Sequence, residues 1–261
     1  MPTQVHANAD IHTSAQLGDN ICVESGAVIE QDCVIGSGCT IGRHSIIWRG
    51  SIVGENNRIF PFCSLGGEPQ DKKYKGEQAP LIIGNNNTIR EYCFINKGTD
   101  ANDETRIGNE NWIMAYVHVA HDCIIGDNTT IANTVQLAGH VEVGARAIIG
   151  GGALVHQFRR IGIGAIIGGG EVILHDVPPY ALVGKGVVSV NREGMHRYGF
   201  SNDIIDAMRH AYKILYRQGL PLTEAIDHIE ALTQAQEPPL QELLAFLRFP
   251  NIQLIRPRKS A

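Results

Sequence analysis

His118-Val119-Ala120-His121-Asp122-Cys123 sets two histidines three residues apart and follows the second with a carboxylate. Three chemistries fit such a stretch. The imidazoles can share a metal ion, one can act as a proton-transfer base oriented by the acid, or both can be unrelated core residues. Histidine is the side chain whose proton affinity suits base catalysis near neutral pH. His-x-x-His on a strand is not a strong zinc spacing, and the six cysteines form no C-x-x-C pair. Further histidines stand at His140, in LAGH, and at His156, followed by Gln157, in VHQF. Whether these groups meet depends on the elements that carry them.

Those elements follow a period of six. Stepping by six from Val5 gives an aliphatic residue at every position through Leu65. The pattern resumes over Ile83–Ile95 and again over Ile107–Ile173, for 26 positions in all, each Ile, Val or Leu. Glycine often follows the aliphatic, as at Gly36, Gly54, Gly108 and Gly144, and a small residue usually stands four after it. Six is neither the helical nor the simple strand period. It fits a triangular parallel β-helix whose sides each take six residues, with the aliphatic filling the interior and glycine easing a corner of positive φ. Eighteen residues then make one coil, and at the usual strand spacing about nine coils give a prism roughly 43 Å long. Cys33, Cys39, Cys63, Cys93 and Cys123 all fall at the small inward position and read as buried structural thiols.

The coil converts sequence distance into space. His121 falls beneath Gly139 and His140, with His156 and Gln157 one coil further on and His118 half a side away. Four of the eleven histidines therefore share one strip of the prism. Asp122 can orient His121 only if the chain turns there, because consecutive strand residues face opposite ways. Two polar excursions interrupt the hexads at residues 66–80 and 97–106, and loops of this length on a compact solenoid are candidates for function.

After Ile173 the hexads stop. Ser201 reads as the N-cap of a helix with Ile204, Ile205, Met208, Tyr212 and Leu215 on its apolar face and Gly219 at its stop. Further helices are expected from Thr223 and after Pro238-Pro239. The division is a β-helix domain over 1–190 and a small helical domain over 191–261. The second carries nine Lys/Arg against eight Asp/Glu, whereas 1–189 carries thirteen against nineteen. Arg209, Lys213 and Arg217 fall at i, i+4 and i+8, one basic stripe suited either to an acidic partner or to plain solvation. A net charge of −5 implies no affinity for nucleic acid. No apolar run approaches membrane length and the N-terminus has no signal core, so a cytoplasmic protein is expected.

The ordered set GEPQDKKYKGE (67–77), IREYCFINKGT (89–99), HVAHDC (118–123), LAGH (137–140), VHQF (155–158), DVPPY (176–180) and REGMHRYGF (192–200) resembles the acyl-carrier-protein-dependent UDP-N-acetylglucosamine O-acyltransferases, the first enzymes of lipid A synthesis. The resemblance runs over nearly the whole chain. It implies a left-handed parallel β-helix, a homotrimer with sites between neighbouring subunits, an acyl carrier protein as donor, and neither cofactor nor metal. It also implies His121 as catalytic base, Asp122 as its orienting acid and the Gly139 amide as oxyanion donor. Asp71, Lys73, His118, His140, His156, Gln157, Asn191, Glu193 and Arg197 match its substrate-binding positions, and Gly169 its acyl-length determinant. The chain departs from the family pattern at Asn96, where histidine is usual, and at Tyr198, where a second arginine is usual. The segment between Tyr180 and Asn191 is shorter than in many members. Other readings are a paralogue acting on a 3-amino UDP-sugar, a CoA-dependent hexapeptide acetyltransferase, the N-acyltransferase of the same pathway, a zinc lyase and a non-catalytic scaffold.

Overall fold

Each hexad folds into a strand of two residues and a turn of four, as in His118–Val119 followed by Ile124–Ile125. A computed structural model describes residues 2–100 and 103–257. Strands three apart in sequence pair in parallel, which builds three sheets of eleven, nine and eight strands. The expected 18-residue coil is the observed register, with Val119 opposite Leu137 and Leu137 opposite Val155. From Val23 to Ile173 every hexad aliphatic is at most 3% exposed, and together they form one continuous core. The five inward cysteines are buried beside them, and their thiols donate to carbonyls about one coil away, as Cys33 Sγ does to Trp48 O at 3.2 Å.

Two sequence expectations need correction. Positive φ occurs not at the glycine after the aliphatic but two residues later, at Asp122 (59°), His140 (58°) and Phe158 (61°). The glycines serve close approach instead: a Cβ on Gly36 would stand 2.6 Å from the backbone of Gly54 in the next coil. The hexads also do not end at Ile173. Val177 bridges Ile161, and Val183 pairs with Ile167 six residues on, adding a strand to the largest sheet. A step of four rather than six from Ile173 to Val177 hides this coil from a fixed six-residue count.

The strand Ala181–Gly184 then turns back through Val187–Val190 in an antiparallel hairpin. Among the described residues four helices follow: α1 (Arg192–Arg197), α2 (Asn202–Arg217), α3 (Leu222–Glu230) and α4 (Pro238–Leu247). The Ser201 hydroxyl caps α2 by accepting from the Ile204 amide, and Gly219 takes φ 70° just past its end. The helix α1 had no counterpart in the periodicity, because six residues cannot display a helical repeat. Among the described residues no helix is long and apolar enough to cross a membrane.

Candidate active site

Both excursions leave the prism at the corner between the nine- and eight-stranded sheets, in consecutive coils. Leu65 to Ile95 takes 30 residues and Ile95 to Val119 takes 24, against the usual 18, so twelve and six extra residues emerge there. The next three turns of that corner contain His121-Asp122, Gly139-His140 and Gln157-Phe158. A register of 18 thus stacks the histidine strip directly above two long loops.

The turn at Asp122 resolves the facing problem. With φ at 59°, its carboxylate swings back to its own neighbour, and Oδ2 accepts from His121 Nδ1 at 2.7 Å. Asp122 is held from the other side by the second excursion. The Thr99 amide donates to Oδ1 at 2.8 Å and the Thr99 hydroxyl to Oδ2 at 2.7 Å, while the Asp122 amide donates to Thr105 Oγ1 at 2.8 Å. Burial alone would raise the Asp122 carboxyl, but the bonds from Thr99 and His121 and the nearby His140 outweigh it and hold the group below the usual carboxylate range. A carboxylate only accepts, so the proton of the bond sits on His121 Nδ1, and in the neutral imidazole the lone pair is then on Nε2. Glycine at 139 makes room for this ring, since a Cβ there would lie 2.5 Å from His121 Cε1. The Gly139 amide donates to no acceptor among the described residues.

His140 sits one coil above, edge-on to His121 at 5.2 Å and with Nε2 3.5 Å from Asp122 Oδ2. Its other face stacks on Phe158 at 4.6 Å. His121, Asp122 and His140 bring ligand atoms within 4.8 Å of one another, a donor set that zinc accepts. Asp122 Oδ2 is nevertheless committed to His121 and Thr99, so the geometry is that of a hydrogen-bonded base.

His118, His121, Gly139 and His156 line a cavity of about 410 Å³, joined by Gln70 from the first excursion. Its far wall is apolar, made by Leu154, Val172 and Leu174, which are 45%, 48% and 54% exposed. His118 lies against Phe94, and its Nε2 meets Asn96 Oδ1 at 3.1 Å. Burial lowers its proton affinity and outweighs the opposing hydrogen bond with the Gln136 side chain, while the nearby His121 adds a lesser lowering.

The remaining sequence-derived residues do not line this cavity. Gln157 is exposed in the turn above Gly139. Asp71 accepts from the Lys73 amide at 2.9 Å within the first loop, where the Lys73 side chain is exposed. Gly169 occupies a different corner, between the eleven- and nine-stranded sheets, where a Cβ would meet Gly151 O at 3.2 Å. Asn191 is 2% exposed, and its amide is used structurally, accepting from the Gly194 amide and donating to Gly164 O. Glu193 and Arg197 pair at 3.2 Å on α1. Arg197 and Tyr198 line a second cavity of about 490 Å³ with Asn128 and Arg146, at the corner between the eight- and eleven-stranded sheets. Tyr198 is fixed there by donating to Arg146 O at 2.9 Å beneath the Arg146 guanidinium. One chain therefore holds two separate clusters. The sequence reading missed Gln70, Thr99 and Thr105, which lie where the register is broken; only the KGT of the second excursion signalled Thr99.

Parallel coils of hexads with a carboxylate-bound histidine over a half-apolar cavity define a hexapeptide-repeat transferase. A profile for bacterial transferase hexapeptide repeats matches residues 104–139, and one for domain 2 of UDP-N-acetylglucosamine O-acyltransferase matches 176–254. A Burkholderia orbicola acyl-[acyl-carrier-protein]–UDP-N-acetylglucosamine O-acyltransferase is 41% identical, covering 97% of this chain and 100% of the relative. The Myxococcus xanthus protein of the same name is 47% identical over 87% of this chain and 90% of its own. Among solved structures, LpxA from Acinetobacter baumannii superposes with a TM-score of 0.93 at 38% identity, covering 97% and 99% of the two chains. The chain belongs to the acyl-[acyl-carrier-protein]–UDP-N-acetylglucosamine O-acyltransferase family and is an acyltransferase.

Proposed function

We propose that the protein transfers a 3-hydroxyacyl chain from an acyl carrier protein to the 3-hydroxyl of UDP-N-acetylglucosamine, the first step of lipid A synthesis, with His121 as general base. The observation that carries this reading is the 2.7 Å bond from His121 Nδ1 to Asp122, which leaves Nε2 as the accepting nitrogen of the neutral ring beside a cavity with an apolar wall. A sugar hydroxyl is too weak an acid to attack a thioester unaided. His121 takes its proton as the oxygen adds to the acyl carbonyl, and a base so placed contributes about 10²–10⁴-fold. The oxyanion accepts from the Gly139 amide. Collapse breaks the C–S bond, and His121 returns the proton to the carrier's thiolate, giving ester and free thiol.

Binding divides between the two clusters. His118, His140, His156 and Gln157 surround the acceptor sugar, with Asp71 and Lys73 reaching in from the first loop. Glu193 and Arg197 act from α1, where arginine suits bidentate phosphate contact, and Asn191 caps and holds the helix that presents them rather than touching substrate. Because the clusters lie on different corners, a neighbouring copy must present its α1 corner to this chain's histidines, as a homotrimer would. The acyl chain runs along Leu154, Val172 and Leu174 toward Gly169, whose missing side chain leaves room for a long chain. The carrier docks on the basic stripe of α2, so residues 1–190 supply the chemistry and 191–261 the docking surface. The reaction belongs in the cytoplasm, where carrier and nucleotide sugar are soluble, and uses no cofactor.

The test is incubation with UDP-N-acetylglucosamine, then with its 3-amino analogue, against 3-hydroxyacyl carriers of several lengths and acetyl-CoA, followed by mass spectrometry. An ester made only from carrier donors supports the reading. An amide formed only with the amino sugar moves the acceptor, and product only from acetyl-CoA overturns the donor.

A further inference from the structure

Asn96 is fully buried beneath the cavity, and its two ends are in different surroundings. Its Nδ2 donates to two backbone carbonyls of the first excursion, Gly67 O at 3.2 Å and Glu68 O at 2.5 Å. Turning the amide over would set its oxygen against both carbonyl oxygens and leave them without a donor, so the orientation is fixed by its surroundings. The oxygen then faces His118 Nε2 at 3.1 Å. An amide oxygen only accepts, so His118 Nε2 must carry a proton. A histidine in place of Asn96 would not impose this, because an imidazole nitrogen accepts or donates according to its own tautomer.

We propose that Asn96 is a positioning residue that locks His118 as the neutral Nε2–H tautomer and leaves Nδ1 as a pure hydrogen-bond acceptor. The resulting role for His118 is recognition of an O–H or N–H donor on the acceptor substrate, not proton transfer. Burial, which disfavours the charged imidazolium, acts in the same direction and outweighs the hydrogen bond with the Gln136 side chain, which favours it. The division of labour between the two histidines follows from their partners. His121, bonded to a carboxylate through Nδ1, keeps its lone pair on Nε2, whereas His118, bonded to an amide oxygen through Nε2, keeps its lone pair on Nδ1. Asn96 also ties the first loop to the second loop's strand, Phe94–Asn96, so it sets the tautomer and holds the loop that carries Gln70, Asp71 and Lys73.

The proposal rests on the transferase reading only for what His118 recognises; the tautomer is a property of the free protein. It is tested by nitrogen NMR of the full-length protein with ¹⁵N-histidine and no substrate, using His118→Asn to assign the resonance. The expected spectrum at pH 7 shows His118 Nε2 protonated and Nδ1 unprotonated. In Asn96→Leu the preference should relax to a mixture of tautomers. A protonated Nδ1 or an imidazolium in the wild type overturns the proposal, as does an unchanged His118 signal in Asn96→Leu, which would leave Asn96 a loop tether only. His118→Asn supplies the functional readout, because its oxygen overlies imidazole Nδ1. It should retain at least about tenfold more kcat/KM than His118→Leu with the pH profile unmoved, about 1.4 kcal/mol at the site. Equal loss in both variants would contradict the acceptor role. Failure of the transferase assay alone would leave the NMR result standing.

Discussion

The Asp122 carboxylate is engaged by His121 Nδ1 and by the amide and hydroxyl of Thr99, and that saturation is why its charge can sit 7% exposed beside a histidine cluster. The cost of burying a carboxylate is met by charge-assisted bonds, and the return is a histidine with one defined tautomer. Gly139 is equally constrained. Gly139→Ala should displace the His121 ring and lower kcat about 100-fold with a small change in KM, since misplacement by about 1 Å costs that much; steady-state kinetics reads the split. His118 makes a different prediction, about stability. Its imidazole lies below its ordinary value of 6.5 because burial disfavours the charged form. The unfolded chain therefore takes the proton first, and the contribution of this residue is present above pH 6.5 and lost as pH falls below it. Urea midpoints of wild type should drop more between pH 6.5 and 5 than those of His118→Gln; parallel curves would contradict this. The histidines were legible from the sequence because His121, Gly139 and Gln157 are separated by 18 residues, one coil. Thr99 and Asn96 were not read as partners, because a hydrogen bond across 22 or 23 residues has no period to betray it.

At the scale of elements, the prism was legible because each interior position demands an aliphatic and each close approach of the coils demands a glycine. The last coil was missed for a local reason, the four-residue step into Val177 before Pro178-Pro179. Helix α2 showed its cap and its apolar face, and α3 and α4 showed where they start, whereas α1 was too short to show a repeat. The excursions matter most for function. They contribute no hexad to the core, yet they brace the carboxylate and the cavity. Gly98 illustrates how tightly: a Cβ there would lie 2.9 Å from Asp122 Oδ1 and 3.1 Å from Glu104 Cα. Thr99→Val removes one bond to a charged acceptor, worth about 1.5–3 kcal/mol. It should lower kcat at least about tenfold while leaving the melting temperature within a few degrees, because the site and not the core is disturbed. An unaltered kcat would mean that Asp122 holds its place without the second loop.

The prism carries one cluster at the corner of His121 and another at the corner of Arg197, and the proposed reaction assigns chemistry to the prism and recruitment to the helices. No pattern in a single sequence states how copies assemble, so the expectation of a homotrimer came only from resemblance, as did that of a left-handed coil. The helical segment contributes a stripe whose Arg209, Lys213 and Arg217 line a groove against the strand Val187–Val190. Replacing all three with glutamate should raise KM for acyl carrier protein at least about tenfold and weaken its salt dependence, with KM for the nucleotide sugar unchanged. If both KM values rise together, the stripe serves the shared site rather than docking. The proposed reaction turns on one proton, which the rate of acyl transfer by His121→Ala reads at saturating donor and acceptor, after size and circular dichroism show the wild-type assembly. A fall of about 10²–10⁴-fold or more is the expected result. A rate within about tenfold of wild type would show that another group takes the proton and that the bond from His121 to Asp122 is structural.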